Sequence, residues 1–136
     1  MVEQHVVLVV EDEFLIREDI KQHLIDCGYC VLDVGNAEDA IRVIETRPDI
    51  DLVFTDVRMP GEIDGIGLAE WVSQNHPQMR VLVTSGHAAR DTAIVDLCKS
   101  EVLVKPYALQ TVAAKIEEIL AARDAATDDE HGTRRS

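Results

Sequence analysis

Residues 6–13 read VVLVVEDE, in which five apolar residues are followed at once by three acidic ones. An unbroken run of Val and Leu is typical of a strand that is buried on both faces, as the strands of a parallel sheet are. In open parallel sheets, ligands bind beyond the carboxyl ends of the strands. The stretch therefore predicts a central parallel strand that delivers Glu11, Asp12 and Glu13 to the functional edge of a sheet.

The alternation of apolar strand and amphipathic helix occurs five times along the chain. Five such units predict an α/β protein with an open, doubly wound parallel sheet and helices on both faces, because a closed barrel takes about eight units. The predicted strands are residues 6–10, 29–34, 52–55, 81–84 and 102–104. The predicted helices are one ending at Gly28, one capped by Asn36, and residues 66–75, about 88–98 and about 108–122.

The second predicted strand ends in Val34-Gly35 without a reactive side chain, whereas the other four end in polar residues. A strand order of 2-1-3-4-5 explains this difference, because it places the second strand at the edge of the sheet. Residues 1–122 are predicted to form one domain. The segment 123–136 contains no apolar residue larger than Ala, so we expect a flexible tail there.

The chain has 136 residues and a formal net charge of −13. Direct binding to DNA or RNA is not expected, because phosphate contacts require Lys and Arg. Apolar runs of at most four or five residues and an N-terminus unlike a secretory signal predict a cytoplasmic protein without membrane insertion. Cys27 and Cys30 form a C-x-x-C pair where a helix ends, and there we expect packed reduced thiols, in preference to redox or zinc chemistry.

Side chains suited to phosphoryl chemistry follow four of the predicted strands. They are Glu11 and Asp12 after strand one, Asp56 after strand three, Thr84 as the last residue of strand four and Lys105 after strand five. Neighbouring strands lie about 4.8 Å apart, so Asp12 and Asp56 could converge on one cation. Oxygen ligands favour Mg²⁺, Lys and Thr can bind phosphate oxygens, and a carboxylate can accept a phosphoryl group.

Each of these features has an ordinary explanation when it is taken alone. Acidic residues after a strand are common at a helix start, where they favour the positive end of the helix dipole. Lys105-Pro106 alone would be an ordinary turn. It is the joint occurrence of these residues at four strand ends that favours one functional site.

The strand ends carry recognisable motifs, which are VLVVEDE at 7–13, TDVRMP at 55–60, DG at 64–65, TSG at 84–86 and VKP at 104–106. Together they resemble the receiver domain of two-component response regulators, a flavodoxin-like fold, over about residues 5–122. The resemblance implies that Asp56 accepts a phosphoryl group from the phosphohistidine of a sensor histidine kinase or a histidine phosphotransfer protein. It also implies one Mg²⁺ ion, bound directly by Asp12 and Asp56, by Glu11 through water, and by the backbone carbonyl of Arg58.

The chain departs from the receiver pattern at two places. Three residues separate Pro60 from Asp64, where many receivers have two, so we expect a longer loop after Asp56. Val102 stands where many receivers have an aromatic switch residue, and Tyr107 lies on the wrong side of Pro106 to replace it directly. The usual aromatic switch is therefore not expected here.

No output domain follows the last predicted helix, so we expect a single-domain response regulator that catalyses only its own phosphorylation and dephosphorylation. Its signal is expected to pass from residues 84–87 to a face formed by the fourth helix, the fifth strand and the last helix. An unknown protein target would bind there. Alternatively, the chain would pass phosphate along a relay or drain it from a kinase.

Three other functions remain open at this point. An aspartate-nucleophile phosphatase needs a second acid two residues after the nucleophile, where this chain has Arg58. A flavodoxin-like electron carrier would bring a phosphate against the acids at 11–13, which would repel it. A receiver-like binding module that ignores phosphate differs from a receiver in one measurable respect, namely magnesium-dependent labelling by a small phosphodonor.

Overall fold

The computed structural model describes residues 4–86 and 100–135, and it gives side chains as far as residue 126. Within these residues, five strands form one sheet and four helices flank it. The strands are β1 (Val6–Val10), β2 (Cys30–Val34), β3 (Leu52–Asp56), β4 (Arg80–Ser85) and β5 (Glu101–Val104). The helices are α1 (Phe14–Asp26), α2 (Ala37–Thr46), α3 (Gly65–Asn75) and α4 (Leu109–Arg135).

The strand order is β2-β1-β3-β4-β5, and every pairing in it is parallel. This confirms the predicted doubly wound sheet. The register pairs Val10 with Thr55 and Asp56 with Thr84, so β1, β3 and β4 end level with one another. Their carboxyl ends therefore present their last residues at one common edge.

Helices cover both faces of the sheet, as predicted. Successive strand residues point to opposite faces, and β1 is buried along its whole length. Leu8 packs with Ile44 of α2, in a cluster that also includes residues of α3. Val9 packs on the other face with Leu24 of α1 and Ile116 of α4. The unbroken apolar run of β1 thus serves two hydrophobic cores at once.

The first helix ends where the sequence predicted. α1 ends at Asp26, and Gly28 has a φ of 101°, in the left-handed region that suits a glycine cap. Cys27 and Cys30 are free thiols on either side of this turn. The predicted helix at about residues 88–98 lies outside the described residues. Among the helices that the structure describes, none is long and apolar enough to cross a membrane.

The last helix is longer than predicted. The prediction ended it near residue 122, and that was wrong, because α4 continues to the last described residue. Arg123 donates from Nη2 to Asp51 Oδ1 at 2.8 Å, and Asp124 pairs with His5 at 3.0 Å. Side-chain hydrogen bonds of Arg123 and Asp124 therefore attach the first residues of the expected tail to the domain. The domain boundary at residue 122 stays a prediction.

Candidate functional site

The predicted site residues lie along the carboxyl edge of the sheet. Asp56 is the last residue of β3 and stands opposite Thr84 in the register of β4. Glu11 and Asp12 follow β1 directly, and Lys105 follows β5 directly. Four strands thus contribute to one small area of the surface, and the sheet itself sets the spacing of these residues.

Asp56 is held by Lys105 at the centre of this edge. Lys105 Nζ lies 2.5 Å from Asp56 Oδ2, and the backbone N–H of Arg58 donates to Asp56 Oδ1 at 3.3 Å. The Asp56 side chain is 13% exposed and that of Lys105 is 39% exposed. Both carboxylate oxygens therefore have a donor, and a charge-assisted contact fixes the direction of the group while it remains accessible to solvent.

The end of β4 connects the neighbouring parts of the site. Thr84 is 2% exposed, and its carbonyl accepts a hydrogen bond from the backbone N–H of Val57 at 3.0 Å. The carbonyl of Ser85 accepts one from the backbone N–H of Lys105 at 2.8 Å. These bonds extend the sheet pairing by one residue beyond β3 and β5. Backbone hydrogen bonds that continue the sheet therefore position Lys105 relative to Asp56.

Glu11 is an acid with little access to water. It is 7% exposed, and its Oε2 accepts a hydrogen bond from the backbone N–H of Glu13 at 2.9 Å. Burial raises the pKa of the Glu11 carboxyl, and the negative charges of Asp12 and Asp56 raise it further. Asp12 is exposed beside it. The charges of Asp12 and Asp56 thus act on Glu11 at this edge, and a bound cation would offset the repulsion between the acids.

The donor groups at this edge suit a cation that retains water. Within residues 4–86 and 100–126, no three His, Cys, Asp or Glu side chains are arranged to hold a metal ion. Mg²⁺ keeps several waters and takes only one or two protein carboxylates in many sites. Asp12 and Asp56 could supply these carboxylates, Arg58 could supply its backbone carbonyl, and Glu11 could act through a water.

The β1–α1 loop, residues 11–13, is fixed by Arg17 of α1. Arg17 Nη1 donates to the backbone carbonyl of Glu11 at 2.8 Å, and its Nε lies 3.1 Å from Asp33 Oδ2. Lys21 also pairs with Asp33 at 3.2 Å. Arg17 was not among the residues that the sequence predicted for the site. A signal was present in Asp33, because an acid inside the otherwise apolar strand CVLDV requires a charged partner.

The β3–α3 loop, residues 57–64, is held at its base and at its outer turn. At the base, a Cβ added to Gly65 would overlap with the backbone carbonyl of Asp56, so only glycine lets α3 begin this close to β3. At the outer turn, Glu38 Oε2 accepts hydrogen bonds from two successive backbone N–H groups of the loop, at 3.0 and 3.3 Å. Glu38 was not predicted from the sequence, because an acid in the first turn of a helix has an ordinary explanation in the helix dipole.

Tyr107 packs beneath the site. Its ring meets that of Phe54 edge-on, with centroids 6.1 Å apart and planes at 82°. Burial, together with the charges of Glu11 and Asp56, raises the pKa of Tyr107 to about 12. Val102 packs against the hydrophobic core on the other face of the sheet. Tyr107 therefore does not occupy the place of the missing aromatic residue.

The response regulator receiver domain family matches residues 7–117 of this chain. That range covers most of the 136 residues and includes every side chain assigned to the site above. The chain therefore belongs to the receiver domain family of two-component response regulators. This agrees with the resemblance found in the sequence motifs and with the observed strand order.

Known relatives of the chain include response regulators and transcriptional regulators. It is 32% identical over 104 residues to an NtrX-like response regulator of Rickettsia felis, covering 74% of this chain and 22% of the relative. It is 35% identical over 131 residues to the alginate biosynthesis transcriptional regulatory protein AlgB of Pseudomonas aeruginosa, covering 91% of this chain and 29% of the relative. The chain thus spans less than a third of the length of either relative.

A solved structure matches almost the whole described fold. The crystal structure of a response regulator receiver protein from Sinorhizobium medicae superposes with a TM-score of 0.81 at 29% identity. The match covers 90% of this chain and 99% of that one. The fold described above is therefore that of a receiver domain.

Proposed function

We propose that Asp56 accepts a phosphoryl group from a phosphohistidine, with Mg²⁺ bound beside it. The observation that carries the proposal is the contact between Asp56 and Lys105, opposite Thr84 and next to the acids that follow β1. A nucleophile, a cation for the incoming oxygens and acidic groups that can bind a metal ion are the parts that phosphoryl transfer needs. Membership in the receiver family supports the same acceptor chemistry.

The proposed transfer exchanges one bond to phosphorus for another. A carboxylate oxygen of Asp56 forms a bond to phosphorus while the bond from phosphorus to the donor imidazole nitrogen breaks, and that electron pair returns to the imidazole. Lys105 Nζ, which lies 2.5 Å from Asp56 Oδ2, then binds a negatively charged phosphoryl oxygen in place of the carboxylate. The hydroxyl of Thr84 donates to another oxygen. Bound Mg²⁺ would supply neutralisation of the charge on the phosphoryl group.

The donor is proposed to be a sensor histidine kinase or a histidine phosphotransfer protein in the cytoplasm. Phosphorylation adds about −1.5 to −2 charges, and Lys105 connects this charge to the end of β5. We propose that β5 and α4 contribute to the face that an unknown protein target binds. The fourth predicted helix, which was expected to complete this face, lies outside the described residues. Arg58 stands where a phosphatase of the aspartate class needs an acid, so we propose no hydrolysis of other substrates.

The test is labelling by a small phosphodonor, with and without Mg²⁺. The wild-type protein should gain one phosphoryl group only when Mg²⁺ is present, and Asp56→Asn should gain none. Asp64→Asn is the matched control, because Asp64 is an exposed acid of the same loop whose capping bond to Gly67 N–H, 2.8 Å long, asparagine can also make. Label on Asp56→Asn would exclude the assignment of the acceptor. No label on either the wild-type protein or Asp64→Asn would favour a binding module that ignores phosphate.

A further inference from the structure

Glu38 extends from its own helix to the loop that follows the proposed acceptor. It is the second residue of α2, and its Oε2 accepts hydrogen bonds from the backbone N–H of Glu62 at 3.0 Å and of Ile63 at 3.3 Å. One carboxylate oxygen thus binds two successive amides of a segment distant in sequence. Hydrogen bonds to an ionised acceptor are about twice as strong as those between neutral groups.

The loop is shaped around this carboxylate. Gly61 has a φ of 108°, which side chains rarely allow, and a Cβ added there would lie 3.0 Å from Glu38 Oε1 and 3.1 Å from Oε2. Hydrogen bonds from its own backbone N–H and from those of Glu62 and Ile63 lower the pKa of the Glu38 carboxyl, against the opposing effect of burial. Glu38 is therefore ionised at neutral pH, and the loop closes over it without a steric conflict.

The contact lies in the loop that the sequence motifs predicted to be longer than in many receivers. The extra residue between Pro60 and Asp64 lengthens the loop, and a longer loop has more conformations to lose when it is ordered. The same loop begins with Arg58, whose backbone carbonyl is the proposed third protein ligand of Mg²⁺. A side chain that orders the outer turn from α2 would therefore reduce the cost of placing that carbonyl.

We propose that Glu38 is a positioning residue for the magnesium-dependent phosphorylation of Asp56, acting by fixing the β3–α3 loop. The inference rests on the proposed function, since it concerns the same metal site. Glu38 itself touches neither the acceptor nor the proposed metal. Its removal should therefore weaken Mg²⁺ binding through the loop, and saturating Mg²⁺ should restore the rate of phosphorylation.

The experiment compares Glu38→Ala and Glu38→Gln with Glu45→Ala. Glu45 is an exposed acid on the same helix, so its removal makes the same change in net charge. We expect Mg²⁺ affinity, measured by calorimetry, to fall about tenfold in Glu38→Ala. Glu38→Gln keeps an oxygen acceptor and should recover part of this loss, and Glu45→Ala should bind Mg²⁺ as the wild-type protein does.

A second readout separates positioning from general destabilisation. The phosphorylation rate of Glu38→Ala should be reduced at low Mg²⁺ and should reach the wild-type rate at saturation, while urea unfolding without Mg²⁺ reports its stability. Equal Mg²⁺ affinity in Glu38→Ala and Glu45→Ala would overturn the inference and leave the proposed function intact. A wild-type protein that neither binds Mg²⁺ nor becomes labelled would instead overturn the proposed function, and the inference with it.

Discussion

The β1–α1 loop spans three residues, 11–13, and the β3–α3 loop spans eight, 57–64, although both lead away from the same edge of the sheet. The short loop is fixed by Arg17 of α1, a 19% exposed cation that donates to a backbone carbonyl. The long loop is fixed at its outer turn by Glu38 of α2, an anion that accepts hydrogen bonds from backbone N–H groups.

The difference in sign follows from the groups that each loop offers, which are acidic side chains in the short loop and backbone N–H groups in the long loop. The short loop consists of acids, one of them buried, so a nearby cation stabilises it. In the long loop, the backbone N–H groups of Glu62 and Ile63 donate to a carboxylate oxygen. The short loop is therefore expected to depend on a half-buried charge network, whereas the long loop depends on backbone fit at its base and on one surface contact at its turn.

Breaking the base of the long loop should have the largest effect. A Cβ at position 65 would overlap with the backbone of β3, which cannot move without disturbing the sheet, so Gly65→Ala should lower the free energy of unfolding by about 3 kcal/mol. Gly35→Ala is the comparison beside the short loop. Its Cβ would lie 3.0 Å from Arg17 Nη1, the far end of a side chain, so its cost should be about 1 kcal/mol or less. Urea unfolding measures both, and equal losses would show that backbone contact does not set the long loop.

Removing the proposed direct ligand should separate the two loops by metal binding. Asp12→Ala should weaken Mg²⁺ binding about thirtyfold, equal to about 2 kcal/mol, because a carboxylate of the short loop is lost. Calorimetry measures the affinity, with Glu13→Ala as the control, since this exposed neighbour carries the same charge. Equal affinities in the two variants would remove Asp12 from the metal site.

The charge network behind the short loop should contribute to stability. Arg17→Met leaves Asp33 with Lys21 alone and leaves the Glu11 carbonyl without its donor, so the free energy of unfolding should fall by about 1.5 kcal/mol. Arg47→Met breaks an ion pair with Asp49 whose side chains are 42% and 55% exposed, so it should leave the free energy of unfolding nearly unchanged. Similar losses of unfolding free energy in the two variants would show that the partial burial of Arg17 adds nothing to stability.

The parts of the fold that the sequence predicted well are those set by local patterns. The apolar run at 6–10 predicted a doubly buried strand, and the structure buries all of it. Asn36 was predicted to cap the second helix, and its side chain accepts the backbone N–H of Asp39 at 2.8 Å. The strand order followed from a chemical difference between strand ends, because the edge strand ends in Val34 and Gly35.

The contacts that the sequence did not predict join residues distant in the chain. Glu38 binds the amide of Glu62, and Arg123 binds Asp51, and no spacing rule relates the members of these pairs. Both long side chains lie on helices, where a charged residue is expected simply to face water. The sequence therefore predicted the positions of the site residues along the sheet edge, but not the side chains that order the loops around them.

The smallest expected effect concerns the cost of placing Glu11 at the start of the short loop. Burial raises the pKa of this carboxyl above its ordinary value of 4.5. The protonated form of Glu11 is therefore favoured in the folded state. Its contribution to the stability of the fold is complete below about pH 4.5, and it is lost as the pH rises through the raised pKa. At neutral pH without metal, the ionised Glu11 thus lowers the stability of the fold.

Glu11→Gln removes this charge but keeps an oxygen that can accept the backbone N–H of Glu13. Without metal at pH 7, its free energy of unfolding should exceed that of the wild-type protein by about 0.5 kcal/mol, and the difference should vanish near pH 4. Saturating Mg²⁺ should reverse the order, because bound metal stabilises the folded wild-type protein and the variant binds it less tightly. Glu13→Gln, an exposed neighbour, should change neither. A Glu11→Gln variant less stable than wild type without metal would show that the short loop carries its buried acid at no cost.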